Sequence, residues 1–308
     1  PTRLSTPDQI LASQQIPATA VNIVYLTTEA VPFAKTGGLA DVCGTLPSRV
    51  AALGHRTAII MPAFRSVYQS HAGVAPTDTS FAIPMSPRKL VGCRLLRGRL
   101  PSAHDVPVWF IDQPQYFDRE SLYGTATGNY PDNAERFSFF CRAAIQAIQR
   151  IGWNVDIVHC NDWQTGPIPS LLAEDDDLSP ALKNHATCMT IHNLAYQGNF
   201  PKSEFEWTGL DWKHFNHDKF EFYDHVNFLK AGIATADTIT TVSPRYSKEI
   251  RTAKHGCGLE AVLENVADRF SGITNGIDQS IWNPKTDTKL AANYDAKSWQ
   301  QGKLANKR

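Results

Sequence analysis

The stretch VYLTTEAVPFAKTGGLADV, Val24 to Val42, decides how this chain is read. It opens as a buried strand and then sets a lysine and two glycines where the chain turns into a helix. Gly37-Gly38 ahead of a helix lets backbone approach a ligand closely. Unpaired N–H groups at the helix start favour an anion, to which Lys35 adds a point charge. A diphosphate is the natural guest of such a turn. The helix that follows carries Leu39, Val42, Leu46, Val50 and Leu53, and Pro47 is expected to kink or split it. K-T-G-G is neither G-x-G-x-x-G nor a P-loop, so read alone it falls short of identifying a phosphate site.

Outward from this stretch, short apolar runs alternate with helical patterns: VNIVYLT, HRTAIIM, VPVWFID, VDIVHC, ATCMTIHN, DTITTVS and FSGITNG. Such alternation predicts an α/β fold built from β-α-β units, with a Rossmann-like, mostly parallel sheet and helices on both faces. Phe137, Phe140, Cys141, Ala144, Ile145 and Ile148 recur at helical spacing, so one face of that helix should meet the core, and Asp132 with Glu135 reads as a capping box at its start. Ser243-Pro244 opens a further helix running to about Ile250. Leu259, Val262, Leu263 and Val266 form a shorter stripe, and SFAIP with KLVGCRLLRG reads as a hairpin inserted on the main sheet.

The chain has 308 residues, enough for one large domain and a piece of another. Its 30 Lys+Arg balance 30 Asp+Glu, and the densest run of like charge is the short acidic patch Glu174–Asp177, which argues against nucleic acid or an anionic membrane as a main partner. No apolar stretch approaches the ~20 residues that span a bilayer, and the first 20 residues lack the basic start and apolar core of an export signal. The six cysteines, Cys43, Cys93, Cys141, Cys160, Cys188 and Cys257, show no zinc spacing and read as buried, reduced thiols in a reducing compartment. That compartment is expected to be the cytoplasm, or the plastid if the source is a plant or alga. Residues 1–20 are polar and aperiodic and read as a flexible lead.

In an open α/β sheet ligands bind beyond the carboxyl ends of the strands. The first strand hands over Thr27-Thr28-Glu29 and then the Lys35 loop. Later strands hand over His159, Asn161, Asp162 and Trp163, then His192 and Asn193, then Ser243, and last Asn275, Gly276 and Asp278. Five polar exits on one edge describe a pocket for a polyhydroxylated or phosphorylated ligand. Each group also has a plainer reading. His159 could be a satisfied structural histidine, Asp162-Trp163 a helix cap with a packed indole, and Asp132 only an N-cap. Tyr116 could stack on a sugar or simply pack. His192-Asn193 favours ligand contact, since two bulky polar side chains there otherwise need buried partners.

Taken together, AKTGGLADV with GTLP, YPDNAERF, DIVHCNDWQTG, TIHNLAYQG, NFLKAGIATADTITTVSPRYSKEI, GCGLEAVL and NGIDQSIWNP resemble the glycogen and starch synthases, in that family's order and over nearly the whole chain. The resemblance implies a GT-B glycosyltransferase of two Rossmann-like lobes, of which residues 21–280 would be the N-terminal, acceptor-side lobe. Residues 281–308 would be a linker and the start of the C-terminal lobe, the remainder being absent; the turn-rich run near 275–285 suggests the boundary. It implies ADP-glucose as donor, an α-1,4-glucan or malto-oligosaccharide as acceptor, and no cofactor or metal. Carried over by position, Lys35, Gly37 and Gly38 would contact the donor diphosphate, with Asp41 supporting the loop. Asn161 and Asp162 would sit beside the transferred glucose, His192, Asn193, Tyr196 and Gln197 would shape the cleft, and Asp132 and Tyr116 would lie on the acceptor side. Glucose transfer would retain configuration by a front-face route, with positioning and electrostatics lowering the barrier.

Two departures qualify this expectation. Where the bacterial pattern is H-x-H-D-W, this chain reads His159-Cys160-Asn161-Asp162-Trp163, and Asn161 can hydrogen-bond a hydroxyl but carries no proton or charge. The family's diphosphate-neutralising Arg and Lys and its glutamate belong to the C-terminal lobe, so the isolated chain is expected to be inactive. Two rivals follow: a non-catalytic glucan-binding or regulatory half-synthase, and a dinucleotide-dependent oxidoreductase, the latter opposed by the missing G-x-G-x-x-G.

Overall fold

The computed structural model describes residues 19–70, 73–175, 182, 185–279 and 281–307. The polar lead up to residue 18 therefore lies outside the described residues. The chain divides into two units, one ending at Thr274 and one beginning at Asn275.

The first unit starts with β1 (Asn22–Leu26), the loop of the opening motif, α1 (Gly38–Ala52) and β2 (Arg56–Pro62). Pro47 does not split α1, which runs through it as one element, and the Pro47 carbonyl accepts from Thr57 Oγ1 at 3.0 Å. A short α2 (Arg65–Gln69) leads into the hairpin of β3 (Ala75–Ser86) and β4 (Lys89–Arg99), followed by β5 (Pro107–Asp112) and α3 (Pro114–Phe117). The expected hairpin thus forms and continues the main sheet, with β4 antiparallel to both neighbours. Its outward face alternates with the core face along β4, as one-sided burial requires.

A two-residue ladder of β6 (Gly124–Thr125) and β7 (Gly128–Asn129) precedes α4 (Asn133–Arg150). Then come β8 (Ile157–Asn161), a 3-10 turn at Trp163–Thr165, α5 (Pro167–Glu174) and β9 (Ala186–Ile191). The small strands β10 (Asn199–Pro201), β11 (Glu221–Phe222) and β12 (His225–Asn227) form a separate sheet. The unit closes through α6 (Phe228–Thr235), β13 (Thr238–Thr241), α7 (Pro244–Glu249), α8 (Glu260–Asn265) and β14 (Phe270–Gly272).

The nine-stranded sheet has the order β14-β13-β9-β8-β1-β2-β5-β4-β3, parallel except at β4 and β3. From β1 the chain builds outward on one side through β2 and β5. It then crosses back to β8 on the other side of β1. The strand order therefore reverses between β1 and β8, and at such a switch point the following loops diverge and leave a crevice. The central strands are buried on both faces, as their continuous apolar runs require.

The helix α4 departs from its one-faced reading: 14 of its residues are buried, all round the helix. One side meets the sheet. On another the Arg142 guanidinium passes under Gly209, where an added Cβ would lie 2.5 Å from Nη1. The capping box is not formed either. Asp132 makes no side-chain cap bond; its carboxylate is taken by Arg119, while Glu135 is taken by Lys89 and Tyr116. The stronger charge-assisted partners outcompete a neutral amide. Ser243 does cap α7, its Oγ accepting the Tyr246 amide at 3.0 Å.

All six cysteines are free, and the reading of all as buried needs correction. Cys43, Cys93, Cys141 and Cys160 are buried, Cys188 is partly so, and Cys257 is exposed on a turn at φ 50°. The second unit contains α9 (Trp299–Asn306), folded on a turn through the Tyr294 amide to Pro284 O at 3.1 Å and Asn306 Nδ2 to Ala292 O at 2.7 Å.

Candidate functional site

The site grows from the switch point. Beyond β1, Thr27, Thr28 and Glu29 are all buried. Thr27 Oγ1 both donates to the Glu29 carbonyl at 3.0 Å and accepts the Glu29 amide at 3.2 Å, a local bond pattern that fixes the strand exit. The Glu29 carboxylate then reaches forward into the loop. Its Oε2 accepts the amides of Thr36 at 2.5 Å and Gly37 at 3.2 Å, and its Oε1 accepts Thr36 Oγ1 at 2.6 Å and the Tyr123 hydroxyl at 2.8 Å. This revises the expectation of unpaired amides ahead of α1. Two are already held by an internal carboxylate, and those of Gly38 and Leu39, in the first turn, have no acceptor within the helix.

Lys35 stands at the mouth of this loop, half-exposed, with Nζ 2.6 and 2.8 Å from the two oxygens of Asp41. The pair fixes the direction of a flexible lysine while leaving it open to solvent. Gly37 and Gly38 have no atom within 4 Å of an added Cβ, and neither has a positive φ. Nothing in the chain's own packing therefore demands glycine at these two positions.

The exits of β8 and β9 are tied to each other and back to β1. Asn161 is buried; its Nδ2 donates to the Leu26 carbonyl at 3.1 Å and its Oδ1 lies 3.0 Å from His192 Nε2. Asp162 takes φ 58° with ψ 179°, outside the left-handed helical well and in a region that residues other than glycine rarely adopt. Its Oδ1 accepts the His192 amide at 2.7 Å. Burial pushes its carboxyl up to about 7, against the lowering bonds from the His192 and Asn193 amides, and the Glu29 charge adds to the rise.

His159 does not end its strand. It lies inside β8, Nε2 2.6 Å from Thr190 Oγ1, with its ring 4.9 Å from that of Tyr25, so it takes the structural reading. Burial holds both His159 and His192 down to about 4, and keeps them neutral at pH 7. Trp163 is buried against Phe137 and Phe200.

The remaining candidates divide. Asn193 and Tyr196 are exposed on the turn after β9, with Tyr196 64% exposed. Gln197 is engaged internally: Oε1 accepts Asn227 Nδ2 at 2.7 Å and Nε2 donates to the Cys257 carbonyl at 3.0 Å. Asp132 is neutralised by Arg119, Nη1 to Oδ1 being 2.7 Å. Burial raises its carboxyl, but the bonds and charge of Arg119, with Arg136 behind, pull it below the ordinary aspartate range. Tyr116 takes the packing alternative. The residue is 7% exposed, its ring packed on Phe139 and Phe117 and its hydroxyl on Glu135, which leaves little surface to stack on a sugar. Asn275, Gly276 and Asp278 belong to the second unit.

Two groups that build the site's hydrogen-bond network escaped the sequence reading. Glu29 appeared there only as one of several strand exits, and Tyr123, whose hydroxyl joins Thr28 Oγ1 at 2.7 Å to Glu29, did not appear at all. A buried glutamate directly after an apolar strand was the available signal, because such a charge must find donors. Among the described residues no group of three or more His, Cys, Asp or Glu could hold a metal ion, and no helix is long and apolar enough to cross a membrane. A cavity of about 500 Å³ is lined by Arg142, Glu174 and His214 and by none of these site residues.

A family model described as the starch synthase catalytic domain matches residues 22–265. The glycogen synthase of Rhodopirellula baltica is 56% identical over 294 residues, covering 93% of this chain and 58% of the relative. That of Syntrophotalea carbinolica is 46% identical over 288 residues, covering 94% of this chain and 58% of the relative. The catalytic domain of starch synthase IV from Arabidopsis thaliana, solved bound to ADP and acarbose, superposes with a TM-score of 0.79 at 33% identity, covering 92% of this chain and 57% of that one. The chain therefore spans a little under three fifths of the length of these relatives.

Proposed function

The chain belongs to the glycogen and starch synthase family of glycosyltransferases, and on that premise we propose that it is the N-terminal, acceptor-side lobe of a retaining glucosyltransferase. The complete protein transfers glucose from ADP-glucose to the non-reducing end of an α-1,4-glucan, in the cytoplasm. The GT-B lobe presents its strand exits to a second, donor-binding lobe that supplies the further cations a departing diphosphate needs. The ADP and acarbose bound in the starch synthase IV structure support a nucleotide sugar and a glucan as ligands.

One observation carries this reading. The Gly37-Gly38 turn leaves open space where side chains would stand, at the N-terminus of the 15-residue helix α1, with Lys35 held alongside. That open space lets a ligand approach the backbone closely, and the helix end and lysine select an anion. In the mechanism Lys35 and the first amides of α1 bind the donor diphosphate, and Asp41 orients Lys35. Asp162, tied to His192, and Asn161 frame the transferred glucose; the exposed Asn193 and Tyr196 face the glucan. Asp132 is held ionised by Arg119 on the acceptor side, and Gln197 braces the turn. Neutral His192 can donate or accept at a sugar hydroxyl without bringing charge.

The test is Lys35→Ala in the natural protein carrying this sequence, assayed for glucose transfer from ADP-glucose and UDP-glucose to maltoheptaose. We expect kcat/KM for ADP-glucose to fall by about 10²-fold or more. Unchanged transfer would defeat the donor-loop assignment. Malto-oligosaccharide binding by the wild type with no transfer at all would favour the non-catalytic half-synthase.

A further inference from the structure

The Glu29 carboxylate has no solvent role: the residue is 3% exposed and receives four donors from two segments, the Lys35 loop and the stretch around Tyr123. Such convergence on one buried carboxylate is stronger than a neutral hydrogen bond can supply, and removing it strands every donor at once.

We infer that Glu29 is the positioning residue of the donor-phosphate loop: its carboxylate occupies the first anion position, at the Thr36 and Gly37 amides, and so moves an incoming diphosphate onward to Gly38, Leu39 and Lys35. The inference rests on the reading of that loop as the donor site. A diphosphate and a carboxylate cannot share the same two amides, and their like charges exclude each other at hydrogen-bond distance. The diphosphate is thereby confined to the amides that follow, which sets how far the donor sugar extends toward Asp162.

The same carboxylate couples loop to strand exit. Tyr123 bonds both Glu29 and Thr28, and its ring centroid lies 6.4 Å from that of Trp163, the residue after Asp162. The loop's place is thereby referred to the two strands, β1 and β8, that flank the switch point.

Two substitutions separate this role from simple structure. Glu29→Gln keeps an oxygen for the Thr36 and Gly37 amides and turns its NH₂ to the two hydroxyls, which can rotate to accept. Glu29→Ala gives up all four bonds. In the natural protein, E29A is expected to raise the KM for ADP-glucose about tenfold or more while the KM for maltoheptaose stays constant. Amide hydrogen exchange at Thr36 and Gly37 becomes fast in E29A and stays slow in E29Q, whose donor KM remains near or below the wild-type value. Donor and acceptor KM rising together in a folded E29A, or a donor KM that does not move, would overturn the inference. Should E29A fail to fold, E29Q decides: a donor KM raised as strongly as by K35A, with the two amides still protected, is the overturning result. If K35A itself leaves the donor KM unchanged, the donor-loop reading is what has failed. If K35A raises it and folded E29A does not, only the role of Glu29 is lost.

Discussion

The carboxylate of Asp162 accepts the backbone amide of His192 at 2.7 Å, and so locks the exit of β8 to the exit of β9 while holding its own backbone at φ 58°. Asp162→Ala leaves the amides of His192 and Asn193 without this acceptor, and is expected to lower stability by about 2–3 kcal/mol. Asp162→Asn retains one acceptor oxygen for these amides, so it should lose less than half as much. Urea midpoints of the two variants measure the difference, and equal losses would mean the carboxylate bond contributes little.

The buried titrating groups work against one another with pH. His159 and His192, held down to about 4 by burial, take up protons more readily in the unfolded chain between pH 4 and 6.5, so their contribution to stability grows as pH rises through that window. Asp162, held up to about 7 by burial, contributes most below the ordinary aspartate range and loses that contribution as pH rises toward 7. Two groups outweigh one, so the urea midpoint should climb from pH 4 to 6.5 and flatten near 7. Asp162→Asn should steepen the climb. A midpoint that falls across the window would contradict the burial of the histidines.

Two glycines should respond in opposite ways. At Gly198, φ is 62° and an added Cβ would lie 2.3 Å from Trp163 Cε3, so Gly198→Ala is expected to cost about 2–3 kcal/mol. At Gly37 there is space and no positive φ, so Gly37→Ala should alter stability by less than about 0.5 kcal/mol while weakening glucose transfer. Thermal unfolding beside a transfer assay distinguishes them; a strongly destabilised G37A would remove the argument from open space.

The Arg119–Asp132 pair and Tyr116 make a contrast at the positions proposed for the acceptor. Arg119→Ala removes the bonds that pull the Asp132 carboxyl down, so its NMR titration should move upward, with a stability loss of about 1 kcal/mol for this partly exposed pair. Tyr116→Phe loses only the bond to Glu135 and should leave the maltoheptaose KM unchanged. A raised acceptor KM in Y116F would restore a sugar-binding role to that position.

By itself the sequence determined the alternation of strands and helices, the hairpin over β3 and β4, the capped start of α7 and the cluster of polar exits, because periodicity, turn residues and caps act over a few neighbours. Its motifs also carried the family. What it could not settle were partnerships between distant residues. That Glu29 fills the loop ahead of α1, that Arg119 takes Asp132 out of the capping box, that Gln197 braces Asn227 and Cys257, and that Tyr116 points into the core all depend on which segments the sheet brings side by side. Only the tertiary structure decided these, since a buried charge or ring chooses among every group the fold places within reach, and sequence spacing does not record that choice.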